Sequence, residues 1–319
     1  MTNLRSHTAW ICAGGLSRLL GALAFTAVLA GCCPHCPPTG DPHALNPPGL
    51  LSTAEVVARI NANSQRLPTL WASLNYSATI IYKGKPQSVA SDDGTLLFAQ
   101  GGFFRLKGDK EFVGTVFDIG TNANEYWCEV VPGVNTLWRG TFADLRQLGP
   151  KVKLPIPVRP ELIRDVLGIG IIGPNLLSSP VPIMRFDPVA DSYVILFGDS
   201  MNDHWVIQKQ IYYDRATLRP RRVVVYGDEG RPVLDAELAH DLRVSIPNEP
   251  AENWPLVAAD YRIFFPDNEG SHMEFSLKDV RLFKENGRGV RIPNSTNFEV
   301  PDVSETDIHT VPIKSSRID

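Results

Sequence analysis

Four groups of residues in this chain have the types and spacing to carry chemistry. Cys32, Cys33 and Cys36 lie together with His35 and His43 beside them. Thiols at Cys-x-x-Cys spacing exchange disulfides, and with imidazoles they hold a soft metal ion. Gly168-Ile169-Gly170-Ile171-Ile172-Gly173 has the glycine spacing that lets a backbone approach a pyrophosphate. Gly198-Asp199-Ser200 offers a serine nucleophile, with Asp307 and His309 as its late-chain partners. The fourth group is dispersed: aromatic and aliphatic side chains recur at every second position of many short segments, the pattern that lines a dry pocket.

Context removes the first three as engines of catalysis. Cys33-Pro34-His35-Cys36 matches the dithiol of DsbA-like oxidoreductases, whose first thiol is activated at a helix N-terminus. Here Pro37-Pro38 and then Thr39-Gly40-Asp41-Pro42 come next, which cannot form that helix. A redox pair, a small metal site using Cys33, His35, Cys36 and His43, and an oxidised or modified pair on a tether stay open, the last favoured. Cys128 reads as a small core residue. The dinucleotide spacing works only between a strand and a helix. Pro160 to Leu167 instead reads as a short helix before the glycines, and Pro174-Asn175 breaks any element beyond them. Phe197-Gly198-Asp199-Ser200-Met201 resembles the serine block of GDSL-type esterases. It lies between two strand-like runs and reads as a hairpin turn, and Asp307-Ile308-His309 has the wrong spacing for the partner pair. An esterase at Ser200 is a remote alternative; no catalytic residue, metal or cofactor is expected.

The front of the chain is built for export. Residues 1–31 hold Arg5 and Arg18, no acidic residue, and the apolar run Leu19 to Ala30. At ~1.5 Å per residue that run reaches about 18 Å, short of a ~30 Å hydrocarbon core. A basic flank, a short apolar segment and small residues at its end describe a secretory signal peptide. Leu29-Ala30-Gly31-Cys32 looks like the lipobox of bacterial lipoproteins. That resemblance implies cleavage between Gly31 and Cys32, a diacylglycerol on the Cys32 thiol and an acylated new amino terminus. Several buried acyl chains, at ~0.8 kcal/mol per CH₂, anchor a protein where one chain would not. Cys33 stands where enteric lipoproteins retained in the inner membrane carry aspartate, so the resemblance implies the outer membrane, with the body in the periplasm.

The mature chain then reads as tether, domain and tail. With 319 residues, 43% hydrophobic and 21% charged, it can bury a real core, and no second long apolar run exists. A pI near 6.0 argues against nucleic acid as a partner. Losing Arg5 and Arg18 takes the net charge from −4 to −6, so acyl chains rather than charge must hold the body at anionic lipid. Residues 32–52, with Pro34, Pro37, Pro38, Pro42, Pro47 and Pro48, form a semi-extended tether. Val56, Val57, Ile60 and Leu67 share one face of a helix that Ser52 or Thr53 can cap and Pro68 closes. Short alternating segments separated by Gly and Pro turns then predict an antiparallel meander, resumed after a proline-punctuated helical insertion over about 149–188. The domain is expected over 53–293, and 294–319 as a polar tail.

A tethered helix leading into two stretches of meander resembles the LolA/LolB-like lipoprotein-carrier superfamily. The resemblance rests on Val56-Val57-Ala58-Arg59-Ile60-Asn61 leading to Leu74-Asn75-Tyr76-Ser77, on the Asp214-x-x-Thr217-x-x-Pro220 strand-turn, and on Asn253-Trp254-Pro255-Leu256 leading into Tyr261 to Phe265. It covers roughly Thr53 to Glu285. It implies a mainly β fold with helices: a curved, incompletely closed antiparallel sheet, or half-barrel, around a helical lid. A concave apolar face of that kind suits an acyl chain or a lipidated partner. Period-two alternation nominates Leu74, Tyr76, Ile80, Phe98, Phe104, Leu106, Tyr261, Ile263, Phe265, Phe275 and Leu277 as its lining. The expected function is therefore that of a non-catalytic, lipid-anchored envelope lipoprotein. The alternative is a structural or sensor lipoprotein, a protein-interaction module whose core is filled.

Replacing the lipidated thiol tests the export reading directly. Cys32→Ala should abolish incorporation of labelled palmitate into the protein. Continued incorporation would move the attachment to Cys33 or remove the lipobox altogether.

Overall fold

The computed structural model describes residues 49–131, 133–144, 159–201, 204–227, 230–282, 284–285, 288–289 and 296–313. The chain divides into two compact units, 1–48 and 49–319. Every described element belongs to the second. The leader, Cys32, the Cys33–Cys36 pair and most of the tether lie outside the described residues.

Helix α1 (Thr53–Ser64) starts where the sequence says it should. Ser52 and Glu55 form a reciprocal capping box, with the Glu55 N–H donating to Ser52 Oγ and the Ser52 N–H to the Glu55 carboxylate. The chain then enters β1 (Thr69–Tyr82) and turns at Lys83-Gly84, both with positive φ (50° and 74°), into β2 (Lys85–Ala99). Two consecutive left-handed residues are the tight hairpin turn whose twist matches the strands. Strands β3 (Phe103–Lys110), β4 (Gly114–Thr121), β5 (Glu125–Val130) and β6 (Thr136–Thr141) continue the meander outward. Helix α2 (Pro160–Val166) begins on proline, the residue whose missing N–H costs a helix nothing at its first position.

The second meander returns inward: β7 (Val181–Asp187), β8 (Ser192–Met201), β9 (His204–Asp214), β10 (Pro220–Tyr226), β11 (Pro232–Arg243), β12 (Leu256–Phe264) and β13 (His272–Arg281). A two-residue ladder, β14 (Lys284–Glu285) with β15 (Arg288–Gly289), and β16 (His309–Ile313) complete the described elements. β13 pairs antiparallel with β1, so both meanders form one 14-stranded sheet in the order β16-β6-β5-β4-β3-β2-β1-β13-β12-β11-β10-β9-β8-β7. The fold is thus mainly β, one curved, unclosed sheet with few helices. The β9–β10 turn is held as its Asp-x-x-Thr pattern suggests: Asp214 Oδ1 accepts from the Thr217 N–H at 2.8 Å and from its hydroxyl at 2.7 Å.

One face of the sheet is apolar along most of its width. Register aligns Leu74 with Leu277, Tyr76 with Phe275 and Ala78 with Met273, and carries the row on through Tyr261 to Leu238. Val56, Val57 and Ile60 of α1, and Ile163, Val166, Leu167, Ile169 and Ile172 of α2 and the loop after it, are buried in the same cluster. α2 packs on β4 and β5 of the first meander and β10 of the second, bracing the sheet across its curve. Two asparagines of α1 act as backbone surrogates. Asn61 donates to the Ile172 carbonyl (2.7 Å) and accepts from its N–H (2.8 Å); Asn63 does the same for Leu256 (2.9 Å each).

Two segments depart from the sequence reading. β7 lies inside the stretch expected to be helical insertion, and residues 149–158 of that stretch lie outside the described residues. The expected polar tail contributes Phe298, 2% exposed, and β16, which pairs parallel with β6. Both strands are sheet edges carrying an internal proline, Pro182 and Pro312. Proline is tolerated at an edge because a missing N–H there breaks no ladder bond, yet its presence argues against a strand when only the sequence is seen.

The Asn61 clasp yields a stability test. Asn61→Ala strands both backbone groups of the nearly buried Ile172 and should cost about 1–3 kcal/mol, read as a lower denaturant midpoint with unchanged slope.

Candidate apolar binding site

The helices do not fill the whole concave face. Beyond them, towards the β1–β2 hairpin, the sheet encloses an open-mouthed cavity of about 400 Å³. Its floor is Ala78, Ile80 and Tyr82 of β1, with Val89 of β2 and Met273 of β13 beside them. Phe117 and Ile119 of β4 and Cys128 and Val130 of β5 form its wall. Val113, Val131 and Val134 close in from the turns, and Gln87, Ser88 and Lys110 supply the polar contacts. No residue of α1 or α2 lines it; it is made by strands and their turns. The volume lies in the ~300–1,000 Å³ range of small-molecule sites, with the expected apolar body and few polar groups.

Local packing explains why space is left here. Gly94 and Gly108 lie under the Tyr76 ring, and Gly108 also under Phe117; a Cβ at either would fall within 3.1 Å of those rings. Tyr76 and Phe117 meet edge to face at 4.8 Å, and the Tyr76 hydroxyl donates to the Asp109 carbonyl at 2.9 Å. Burial pushes that hydroxyl up to about 12, so it stays a donor at any physiological pH. Phe117 lines the cavity, and Tyr76 is buried against it. Next to the cavity-lining, half-exposed Val113, the β3–β4 turn presents Phe112 fully to solvent with a φ of 63°.

The eleven side chains nominated from alternation all sit on the sheet's apolar face. Ile80 lines this cavity. Phe98 lies at a second, polar-rimmed pocket beside the loop after α2. Leu74, Tyr76, Phe104, Leu106, Tyr261, Ile263, Phe265, Phe275 and Leu277 line neither space and are buried in the hydrophobic cluster to which both helices contribute. Ala78 lies between Tyr76 and Ile80 on the face that alternation identifies, and Met273 lies two positions before Phe275; the lining residues Val89 of β2, Ile119 of β4, and Cys128 and Val130 of β5 were not among those nominated.

The catalytic-looking motifs do not converge. Ser200 is a strand residue paired with Trp205 across the β8–β9 hairpin, whose tip residues 202–203 lie outside the described residues. Asp199 is occupied by the Ser200 N–H (2.8 Å), the Gln208 amide (3.1 Å) and the Ser179 hydroxyl. His309 is on β16, at the opposite end of the strand order from β8. Gly168, with φ 67°, ends α2, and Ile169 and Ile172 then bury into the core, so the glycine series is a helix stop that leads into a packed loop.

No family model and no characterised relative matches the sequence. Solved structures do. An outer membrane lipoprotein-sorting protein domain from Vibrio parahaemolyticus aligns at 13% identity and a TM-score of 0.44, covering 73% of this chain and 94% of that one. A LolA superfamily protein from Nitrosomonas europaea aligns at 12% identity and 0.42, covering 74% and 96%. A DUF1329 family protein from Desulfovibrio piger aligns at 10% and 0.38, covering 72% and 91%.

The outer side of the cavity wall is charged and buried. Arg105 holds Asp118 through two parallel hydrogen bonds and donates to the Asn297 carbonyl at 3.0 Å, while Trp127 Nε1 donates to Asp118 at 3.0 Å. Glu129 is aligned with Asp118 on the neighbouring strand and is 5% exposed. Burial first, and the Asp118 charge second, raise its carboxyl to about 7 against the opposing pull of Arg105 and Lys107. The folded state therefore resists ionising Glu129. Its contribution is most favourable below the ordinary value of 4.5 and is lost as pH rises from there to about 7. Glu129→Gln should flatten the pH dependence of thermal stability across that window and raise the melting temperature at pH 8.

Proposed function

We propose that the chain is a lipid-anchored bacterial envelope lipoprotein whose folded body binds an acyl chain, free or attached to a partner, without catalysing a reaction. The observation that carries this reading is the strand-built cavity of about 400 Å³ with its largely aliphatic lining. The few polar groups of that lining, Gln87, Ser88 and Lys110, are outnumbered by apolar side chains. It gains by covering apolar surface, at roughly 25 cal/mol per Å² removed from water. The volume suits one chain rather than a bundle of them. Phe112 and Val113, exposed on the β3–β4 turn beside the cavity, would offer apolar surface to an incoming chain.

The anchor and the cavity complement each other. The lipobox-like Leu29-Ala30-Gly31-Cys32 would fix the protein to a bilayer, with the outer membrane as the proposed site. The proline-rich stretch after it would hold the body clear of the surface. Among the described residues no helix is long and apolar enough to cross a membrane.

The test uses purified chain bearing Cys32→Ala, so that no attached acyl group competes. Native mass spectrometry should show co-purifying lipid, and a fluorescent fatty acid should bind with one-to-one stoichiometry. Ile80→Trp, which places an indole in the cavity, should cut that binding at least tenfold while leaving the melting temperature within a few degrees. A ligand-free mass together with no uptake of the fatty acid would sink the reading.

A further inference from the structure

The apolar cavity is not a closed end. Tyr82, Gln87, Gly133 and Val134 line it on one side and, on their other side, line a wider cleft of about 630 Å³. That cleft runs from the β1–β2 hairpin to β16, and its remaining charged or titratable lining groups are Lys83, Lys85 and His309. Lys110 stands at the cavity itself. Among the described residues no carboxylate lines either space, and none of the three lysines forms an ion pair. Lys83 Nζ lies 5.0 Å from the centre of the Tyr82 ring. In a chain with 35 acidic and 31 basic residues, a continuous tail-and-cleft surface bearing charge of one sign is a departure from the average.

Resting on the acyl-binding reading, we propose that the two spaces form one site for an anionic amphiphile: the chain lies in the cavity, and a carboxylate or phosphate headgroup sits in the cleft against Lys83 and Lys85. The hairpin is suited to this. Its left-handed Lys83-Gly84 turn fixes the two lysines on either side of a glycine, so little backbone order is lost when an anion docks. Asn135 and Thr136 add polar groups, and His309 brings the C-terminal strand into the wall. Lysine rather than arginine fits a headgroup that need not be read in a fixed plane. The same lysines would favour an acid over its ester or alcohol with the same chain, which an apolar cavity alone cannot do.

The experiment compares parinaric acid with its methyl ester, by fluorescence, on chain bearing Cys32→Ala and on the same chain with Lys83→Gln and Lys85→Gln. The acid should bind several-fold tighter than the ester. The double variant should lose about three- to tenfold in affinity for the acid, and in salt sensitivity, while binding the ester as before. Displacement by dodecanoate against displacement by lauroyl lysophosphatidate then distinguishes a carboxylate from a phosphate headgroup. Equal affinity for acid and ester, unchanged by the lysine substitutions, overturns the headgroup site and leaves the apolar cavity standing. Binding of neither probe overturns both.

Discussion

The pairing of β1 with β13 is the constraint on which the rest of the molecule depends. It joins residues about two hundred positions apart, and it alone turns two independent meanders into one sheet. Without it β1 and β13 would each present an open edge, and the apolar row from Leu74 to Leu238 would be cut in two. Closing so long a loop costs entropy only logarithmically, so a modest number of well-packed cross-strand pairs can hold it. Tyr76 opposite Phe275, Leu74 opposite Leu277, and Tyr261 stacked on Phe275 at 4.6 Å supply them. The α1 asparagines reinforce the same junction from inside, tying the helix to the start of β12 and to the loop after α2.

Curvature arises where the chain gives up side chains. Gly94 and Gly108 let Tyr76 and Phe117 lie flat against neighbouring strands, and Gly120 does the same for Trp127 on the outer face, where a Cβ would fall 2.1 Å from the indole. Register shifts at Leu74/Tyr76 and Gly108/Asp109 bend the first meander at the same places. The free ends of the sheet are blunted rather than joined. β16 and β7 each hold a proline that withholds one ladder donor.

Much of this fold is legible in the sequence. The helix at Val56, Val57 and Ile60, its capping serine and most strands announce themselves through periodicity, because each is half-buried and one face must be apolar. The edge strands are not legible. His309-Thr310-Val311-Pro312-Ile313 is half polar and proline-broken, since an edge needs little apolar surface, whereas β7 is apolar but carries Pro182 and follows a helical, proline-punctuated stretch that masks it. The polar start of β2, Lys85 to Asp93, is strand because a tight turn delivers it alongside β1 rather than by its own pattern. Alternation also identifies the apolar face without saying what covers it. Leu74 and Ile80 look alike in sequence, yet the first is fully buried in the core and the second faces the cavity.

That difference has a geometric cause. β1 has 14 residues, about 46 Å of strand at ~3.3 Å per residue, whereas α1 has 12 residues, about 18 Å of helix, and α2 only seven. Two helices of that length cannot cover a concave face so much longer than they are. A protein needing only stability could shorten its strands or carry large side chains over the remainder. This chain instead continues the strands and lines the uncovered end with Ala78, Val89, Val130 and other small or aliphatic groups, leaving the space open to one side. The cavity is therefore what remains when a long sheet is only partly filled, and its position next to the Lys83–Lys85 hairpin puts the uncovered apolar surface beside the cleft's positive charge.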